Sequence, residues 1–261
     1  MNGIVEYLTD STHWSGPDGI PHRLLEHLGY SFGALLFVVL IGLPLGLYVG
    51  HTGRGAVAIA GTANALRALP TFGLLIFVVI RLSGRLPADW AYLGPSLLVL
   101  VILGIPAVLS NTYAGVQNVD LAARDAAKGM GMTGRQVLWR VEIPNALPLI
   151  LSGIRSAILQ IVATATIAAY VSLGGLGRFI IDGRAQRDYS QMGAGAVLVG
   201  LLAVALDLLM AGLQVFVVSR AACGRSARSD RGRRRRPGAR PSQPLPRKRR
   251  LSQLEPEPLL R

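Results

Sequence analysis

Apolar residues in this chain fall in long blocks instead of recurring at the three- or four-residue spacing of an amphipathic helix. Five blocks stand out, over residues 31–50, 56–80, 91–110, 147–171 and 193–219. A helix crosses the hydrocarbon core of a bilayer when about 18 or more consecutive residues are mainly apolar. The pattern therefore predicts an all-α polytopic membrane protein with five transmembrane helices. The second block carries Arg67 and Pro70 within Arg67-Ala68-Leu69-Pro70-Thr71. Proline has no N–H to donate and its ring clashes with the preceding turn, so a helix broken at Pro70 is expected. Either half is short for a crossing of its own; if both crossed, the spans would number six.

Charge gives the blocks a direction. Residues 1–30 hold Glu6, Asp10, Asp18 and Glu26 against a lone Arg23, whereas residues 111–146 carry Arg124, Lys128, Arg135 and Arg140. Basic residues near span ends are retained in the cytoplasm. The N-terminal segment 1–30 is expected outside, and the 111–146 loop and residues 220–261 inside, which needs an odd number of spans. The 172–192 connection then faces outward. Its Arg178, Arg184 and Arg187 are partly offset by Asp182 and Asp188. No basic stretch precedes a short apolar run at the start, so the first span is expected to serve as its own insertion signal.

The net charge of +13 belongs to one end. Residues 220–261 contain 14 Lys/Arg and only three acids, Asp230, Glu255 and Glu257, leaving 13 basic and 11 acidic residues elsewhere. A body so nearly neutral does not suit nucleic acid, and no aromatics interleave with the arginines of the tail. That tail, with Arg233–Arg236 and Arg247–Arg250 among Pro, Ser and Gly, has too little apolar surface to fold alone. It reads as a disordered cytoplasmic segment that fixes topology, with attraction to anionic lipid heads as the second reading. Cys223 is the single cysteine and the four histidines are scattered, so neither a disulfide nor a metal site is expected.

The connection between the third and fourth blocks is too polar for a span and too well punctuated for a plain linker. Asp120 is placed to cap a helix beginning at Leu121. Gly129 and Gly131 offer positions for a turn with positive φ. Thr133 followed by Gln136 forms a capping-box pattern for a second short helix, and Pro144 is expected to limit that helix. An ordinary hairpin between spans would carry the same signals.

The same stretch resembles the signature of binding-protein-dependent ABC importer permeases, which is Glu-Ala-Ala, three residues, Gly, nine residues, then Ile-x-Leu-Pro. Here Asp125-Ala126-Ala127 supplies the triplet, Gly131 follows at the same spacing, and Val141-Glu142-Ile143-Pro144 closes the motif. Asp replaces Glu, Val replaces Ile and Ile replaces Leu. The resemblance implies a coupling helix seated in a cleft of a separate ATPase, with Asp125, Ala126, Ala127, Gly131, Val141, Ile143 and Pro144 as the coupling residues. Met130, Met132 and Leu138 would supply adaptable apolar contact, and Arg124, Arg135 and Arg140 would meet acids at its rim.

The likeness extends over residues 30–218. Gly129-Met-Gly-Met-Thr133, Ile143-Pro-Asn-Ala-Leu-Pro148, Ser152-Gly-Ile-Arg155 and Leu173-Gly-Gly-Leu-Gly177 are similar to segments of the glycine betaine/carnitine/choline branch. This implies two ATPase copies, an extracytoplasmic substrate-binding protein and a second permease copy or paralogue in the bacterial plasma membrane. The implied cargo is a compatible solute such as glycine betaine, carnitine, choline or proline. An amino-acid importer, for example of methionine, shares the five-span plan and is the alternative.

Other positions admit two readings. Ser152, Ser156, Gln160 and Thr164 recur every fourth residue and share one helical row. With Asn64, the residues Ser156, Gln160 and Thr164 are candidates for a substrate pathway, although small polar residues also serve helix packing. Charges at membrane depth turn inward and find partners, so Asp207 is expected to pair with Arg67 or Arg155. A secondary transporter driven by an ion gradient, with Asp207 as its coupling group, or a membrane scaffold without transport, are the readings from other classes. The Gly-rich run 173–177 is either an outer gate or a turn. The chain has no Gly-x-x-x-x-Gly-Lys-Ser/Thr phosphate loop and no catalytic triad or carboxylate pair, so no enzyme activity or cofactor is expected within it.

Overall fold

The computed structural model describes residues 2–233; the side chains of residues 2, 58–60, 64, 67, 218 and 220–233 lie outside that description. The chain divides into two units, Met1–Ser219 and Arg220–Arg261. Among the described residues there are helices and turns but no strand. In chain order the helices are α1 (Asn2–Thr9), α2 (Ile20–Thr52), α3 (Ala56–Ala68), α4 (Thr71–Leu82), α5 (Leu93–Gln117), α6 (Leu121–Gly129), α7 (Gly134–Val137), α8 (Ile143–Ala168), α9 (Gly177–Gln186) and α10 (Tyr189–Arg233). The run of the tail beyond Arg233, including Arg247–Arg250, is outside the described residues.

Four helical stretches are long and apolar enough to cross a membrane: Ile20–Thr52, Ala88–Gln117, Gly134–Val171 and Tyr189–Val217. They contain the first, third and fourth apolar blocks and all but the last two residues of the fifth. The second block is α3 and α4, separated at Leu69 (φ −67°, ψ 134°) and Pro70 (φ −67°, ψ 109°). The proline ring drives the residue before it out of the helical region, which breaks the helix one residue ahead of Pro70. Several helices overrun their apolar blocks, because backbone hydrogen bonding continues past the point where side chains turn polar. Thus α2 begins at Ile20, with Pro21 in its first turn where no N–H is needed.

Packing centres on α5. Down one side of α2, small residues meet α5 in register: Gly42 faces Val108, Gly46 faces Thr112 and Gly50 faces Val116. The numbers rise together, so α2 and α5 run parallel. Against α8 the order reverses, with Gly115 on Ala146, Asn111 on Gly153 and Gly104 on Ile161. Antiparallel contact continues between α8 and α10, where Gln214 donates to the Pro148 carbonyl at one end and Leu202 packs near Val162 at the other. Ala34, Val38, Leu100, Val108, Ala157, Ile161 and Ala165 close the centre of the bundle. Helices in lipid associate through close packing and hydrogen bonds, not through escape from water, and small residues permit that approach.

One end of the bundle carries a folded cap. Tyr7 and Leu8 of α1 pack with Ile20, Leu176 and Phe179. The Gly-rich run is a turn clasped by α2: Gly175, at φ +91°, donates its N–H to Glu26 Oε2 at 2.9 Å. A Cβ at 175 would lie 3.0 Å from His27 Nδ1, so backbone conformation and space both call for glycine.

The helix register gives a stability test. At Gly46 a Cβ would stand 2.7 Å from Thr112 Cβ and 2.9 Å from the Leu109 carbonyl, whereas at Gly33 it would meet nothing within 4 Å. Overpacking of this kind costs about 1–3 kcal/mol. Gly46→Ala is expected to lower the thermal unfolding temperature of the detergent-solubilised protein, and Gly33→Ala to leave it unchanged.

Candidate functional site

The polar connection between α5 and α8 is shorter than its predicted 111–146 range, because α5 runs on to Gln117 and α8 starts at Ile143. Asp120 caps α6 by accepting the Ala122 N–H at 2.9 Å. Thr133 and Gln136 form a capping box at α7, the Gln136 side chain accepting the Thr133 N–H at 2.9 Å. The turn between the helices uses Gly131, at φ +81°; Gly129 is the last residue of α6 and keeps a negative φ.

Pro144 does not stop the second helix. A π-helical turn, Leu138–Glu142, joins α7 to α8, and Pro144 occupies the first turn of α8. The first turn of a helix has N–H groups without internal partners, so a proline there removes nothing. The loop is therefore continuous with α8, without a helical break.

Exposure sorts the loop residues. Asp125 and Ala126 are exposed and Ala127 is buried; Val141, Ile143 and Pro144 are half-buried at the junction with α8. Of the apolar candidates only Met130 stands out, 72% exposed, while Met132 and Leu138 are half-buried. Leu121 and Trp139, not singled out from the sequence, are 71% and 64% exposed. Methionine and tryptophan are enriched in protein interfaces, and here each major part of the loop presents one large apolar side chain. Arg135 and Arg140 are exposed.

Arg124 departs from its expected place at the rim. It turns inward, donates to the Val116 carbonyl of α5, and sets Nε 3.2 Å from Glu142 Oε1 in an ion-pair contact off the hydrogen-bond axis. Glu142, only 2% exposed, also meets His51 Nδ1 of α2 at 2.7 Å through its other oxygen. Burying a carboxylate is costly unless it is paired, and this one has a partner on each oxygen. Sequence reasoning passed over Glu142 because it stands at the variable position of the signature. Gln117 adds a further tie, donating to the Gly50 carbonyl at 2.8 Å.

A second feature lies at the broken helix. A cavity of about 350 Å³ is lined by Leu66 and Leu69 at the end of α3, Thr71 at the start of α4, Leu103 and Ala107 of α5, and Ser156 and Gln160 of α8. Two members of the predicted polar row thus reach one cavity. Thr164 does not: it is buried at 2% exposure and donates its hydroxyl to the Gln160 carbonyl at 2.8 Å. The side chains of Asn64 and Arg67 lie outside the described residues.

Asp207 finds its partner in Arg155. Arg155 Nε reaches Asp207 Oδ1 and Arg155 Nη2 reaches Asp207 Oδ2, both at 2.6 Å, joining α8 to α10. Two parallel charge-assisted bonds fix geometry as well as energy. With its carboxylate committed to a permanently charged guanidinium, Asp207 has little freedom to serve as a proton carrier.

Comparison with known proteins places this geometry among transport permeases. Residues 42–222 match the family described as "Binding-protein-dependent transport system inner membrane component". The glycine betaine/carnitine/choline transport system permease protein OpuCB of Bacillus subtilis is 33% identical over 187 residues, covering 71% of this chain and 82% of that protein. The choline transport system permease protein OpuBB of the same organism is 31% identical, covering 81% and 92%. The osmoprotectant import permease protein OsmW of Salmonella typhimurium is 34% identical, covering 81% and 95%. Among solved structures, the MetNI methionine ABC transporter in an inward-facing conformation aligns with TM-score 0.64 over 76% of this chain and 95% of that chain. Identity there is 22%, so this likeness concerns the fold alone.

The Arg155–Asp207 pair generates its own test. Breaking a pair in lipid strands one charge. Asp207→Asn and Arg155→Gln are each expected to reduce the amount of folded protein in the membrane, and the swap Arg155→Asp with Asp207→Arg to restore it. Gel-filtration recovery of monodisperse protein measures the effect; a swap no better than the single variants would contradict the pairing.

Proposed function

The chain belongs to the family of binding-protein-dependent transport system inner membrane components, and from that we propose that it carries a compatible solute across the membrane as the permease subunit of an ATP-driven importer. It is a multi-pass protein of the bacterial inner membrane, working with an ATPase and a substrate-binding protein. The cargo is a compatible solute: glycine betaine, carnitine or choline, as named for its relatives, or the chemically similar zwitterion proline. The observation that carries the reading is the capped helix–turn–helix loop, which bears the signature spacing from Asp125 to Pro144 within the matched region.

Five spans are the count we adopt. The parallel register of α2 and α5 supports it, since the α3–α4 segment must return the chain across the bundle between them. The N-terminus then lies outside and the tail in the cytoplasm, in keeping with the basic residues of the loop and tail. Two ATPase copies and a second permease copy or paralogue complete the assembly. ATP is bound and hydrolysed in the partner subunit.

In this assembly Leu121, Met130 and Trp139 enter the ATPase surface, Ala127 keeps α6 close against the bundle, and Gly131 shapes the turn. Closure of the ATPases moves the spans as packed bodies and alternates access to the solute path. The path runs along the cavity at the Pro70 break, where Thr71, Ser156 and Gln160 offer polar but uncharged contacts. Such a lining accepts a zwitterion or a cation without holding it, which transit requires.

Reconstitution of the chain with its ATPase and binding protein tests the whole reading. Uptake of labelled glycine betaine or choline into proteoliposomes should require ATP; uptake by this chain alone on an ion gradient would overturn it. Two substitutions should separate docking from passage. Trp139→Ala is expected to weaken ATPase association by about tenfold or more, the scale of an exposed aromatic anchor, measured by titrating purified ATPase. Gln160→Leu should leave association unchanged and lower uptake.

A further inference from the structure

Glu142 lies where the loop meets the bundle, and its two ion-pair contacts reach α2 and α6. Its own π turn leads into α8. One oxygen meets His51 in the last turn of α2, and the other faces Arg124 of α6, which itself donates to the Val116 carbonyl near the end of α5. Gln117 then binds the Gly50 carbonyl, tying α5 back to α2. The carboxylate is 2% exposed and the Arg124 side chain 13% exposed. His51 also touches the beginning of α7, where a Cβ at Gly134 would lie 3.4 Å from His51 Nε2.

We infer that Glu142 is a positioning residue for energy coupling: its buried carboxylate fastens the ATPase-docking loop to α2 and α5, so that a push on the loop moves α2, α5 and α8 together. The inference rests on the docking role proposed for the loop. Covalent connection alone would link the loop to α5 and α8, its two neighbours in sequence. It does not link α2 to the loop, because the whole α3–α4–α5 stretch lies between them in sequence, and the packing of α2 on α5 reaches the loop only by way of α5. The His51–Glu142 contact spans 91 residues of sequence and reaches the loop from α2. A short polar link between two rigid helices transmits displacement in both directions, as coupling between sites requires.

A charge cluster of this kind also serves stability, and substitutions must separate the two roles. Glu142→Ala leaves Arg124 without its carboxylate partner and risks misfolding. His51 is the gentler probe, since its side chain is 27% exposed. His51→Leu removes the tie to Glu142 while Glu142 keeps Arg124; His51→Asn places an amide donor at the position of Nδ1, the atom that makes the contact.

The experiment uses the complete transporter, with binding protein, in proteoliposomes and with Cys223→Ser as background. ATP-dependent uptake by this background protein establishes the reading on which the inference rests, independently of the variants. His51→Leu is expected to hydrolyse ATP and retain its ATPase as the parent does, yet to transport about tenfold less solute per ATP, a coupling loss typical of linked sites. His51→Asn should recover most of that ratio. Spin labels at Thr52 and Ala123, both exposed, report the mechanical link: their separation should stay fixed in the parent between nucleotide-free and ATP-analogue-trapped states, and change in His51→Leu. The inference is overturned if His51→Leu keeps the parental transport ratio, if uptake falls only in step with ATPase retention, or if the parental separation shifts on trapping.

Discussion

Lipid removes the main reason helices have for packing together, since apolar side chains are as well solvated by acyl chains as by each other. What remains is close contact between backbones and the few polar bonds that cross from helix to helix. Everything in this protein depends on how α5 meets that condition. Gly42, Gly46 and Gly50 let α2 approach it in parallel, and Gly104, Gly115 and Gly153 let α8 approach it from the other side in the opposite sense. The bundle is rigid where those contacts are dense. The polar ties at its ends, His51–Glu142 and Gln117–Gly50, act on helices already held in register.

That arrangement explains how one chain accommodates two different tasks. The loop between α5 and α8 has a stiff attachment, because its π turn gives it a continuous helical path into α8. The break at Pro70 leaves room within the bundle. Pro70 interrupts α3–α4, leaving Thr71, Ser156 and Gln160 around a cavity instead of a fully packed seam. The same helix α8 contributes to both, with Glu142 at its entry and Gln160 farther along.

Much of this was legible in the residues before any coordinates. Apolar blocks located the long helices, because a bilayer demands a minimum apolar length. Pro70 marked its break, Asp120 and Thr133 marked their caps, and the signature spacing pointed to the family. Three things were not legible, each for a physical reason. Hydropathy reports where side chains turn polar, not where backbone hydrogen bonds stop, so α2 and α5 were read too short. A proline in a polar loop reads as a stop, but beside a π turn Pro144 became the first turn of α8. Long-range partners were the hardest: nothing local distinguishes an arginine that faces solvent from Arg124, which turns back onto Glu142, and nothing local chose between Arg67 and Arg155 for Asp207.

The Arg155–Asp207 pair has a consequence for how the protein is made. Arg155 lies in α8 and Asp207 in α10, with α9 and its flanking turns between the two helices. An arginine or an aspartate released singly into hydrocarbon is costly, and the cost disappears only when the two meet. Synthesis of α8 therefore yields a segment that is not at ease in lipid until α10 has followed it. The last two crossings are best released as a hairpin, so their membrane integration becomes a single cooperative event in biogenesis.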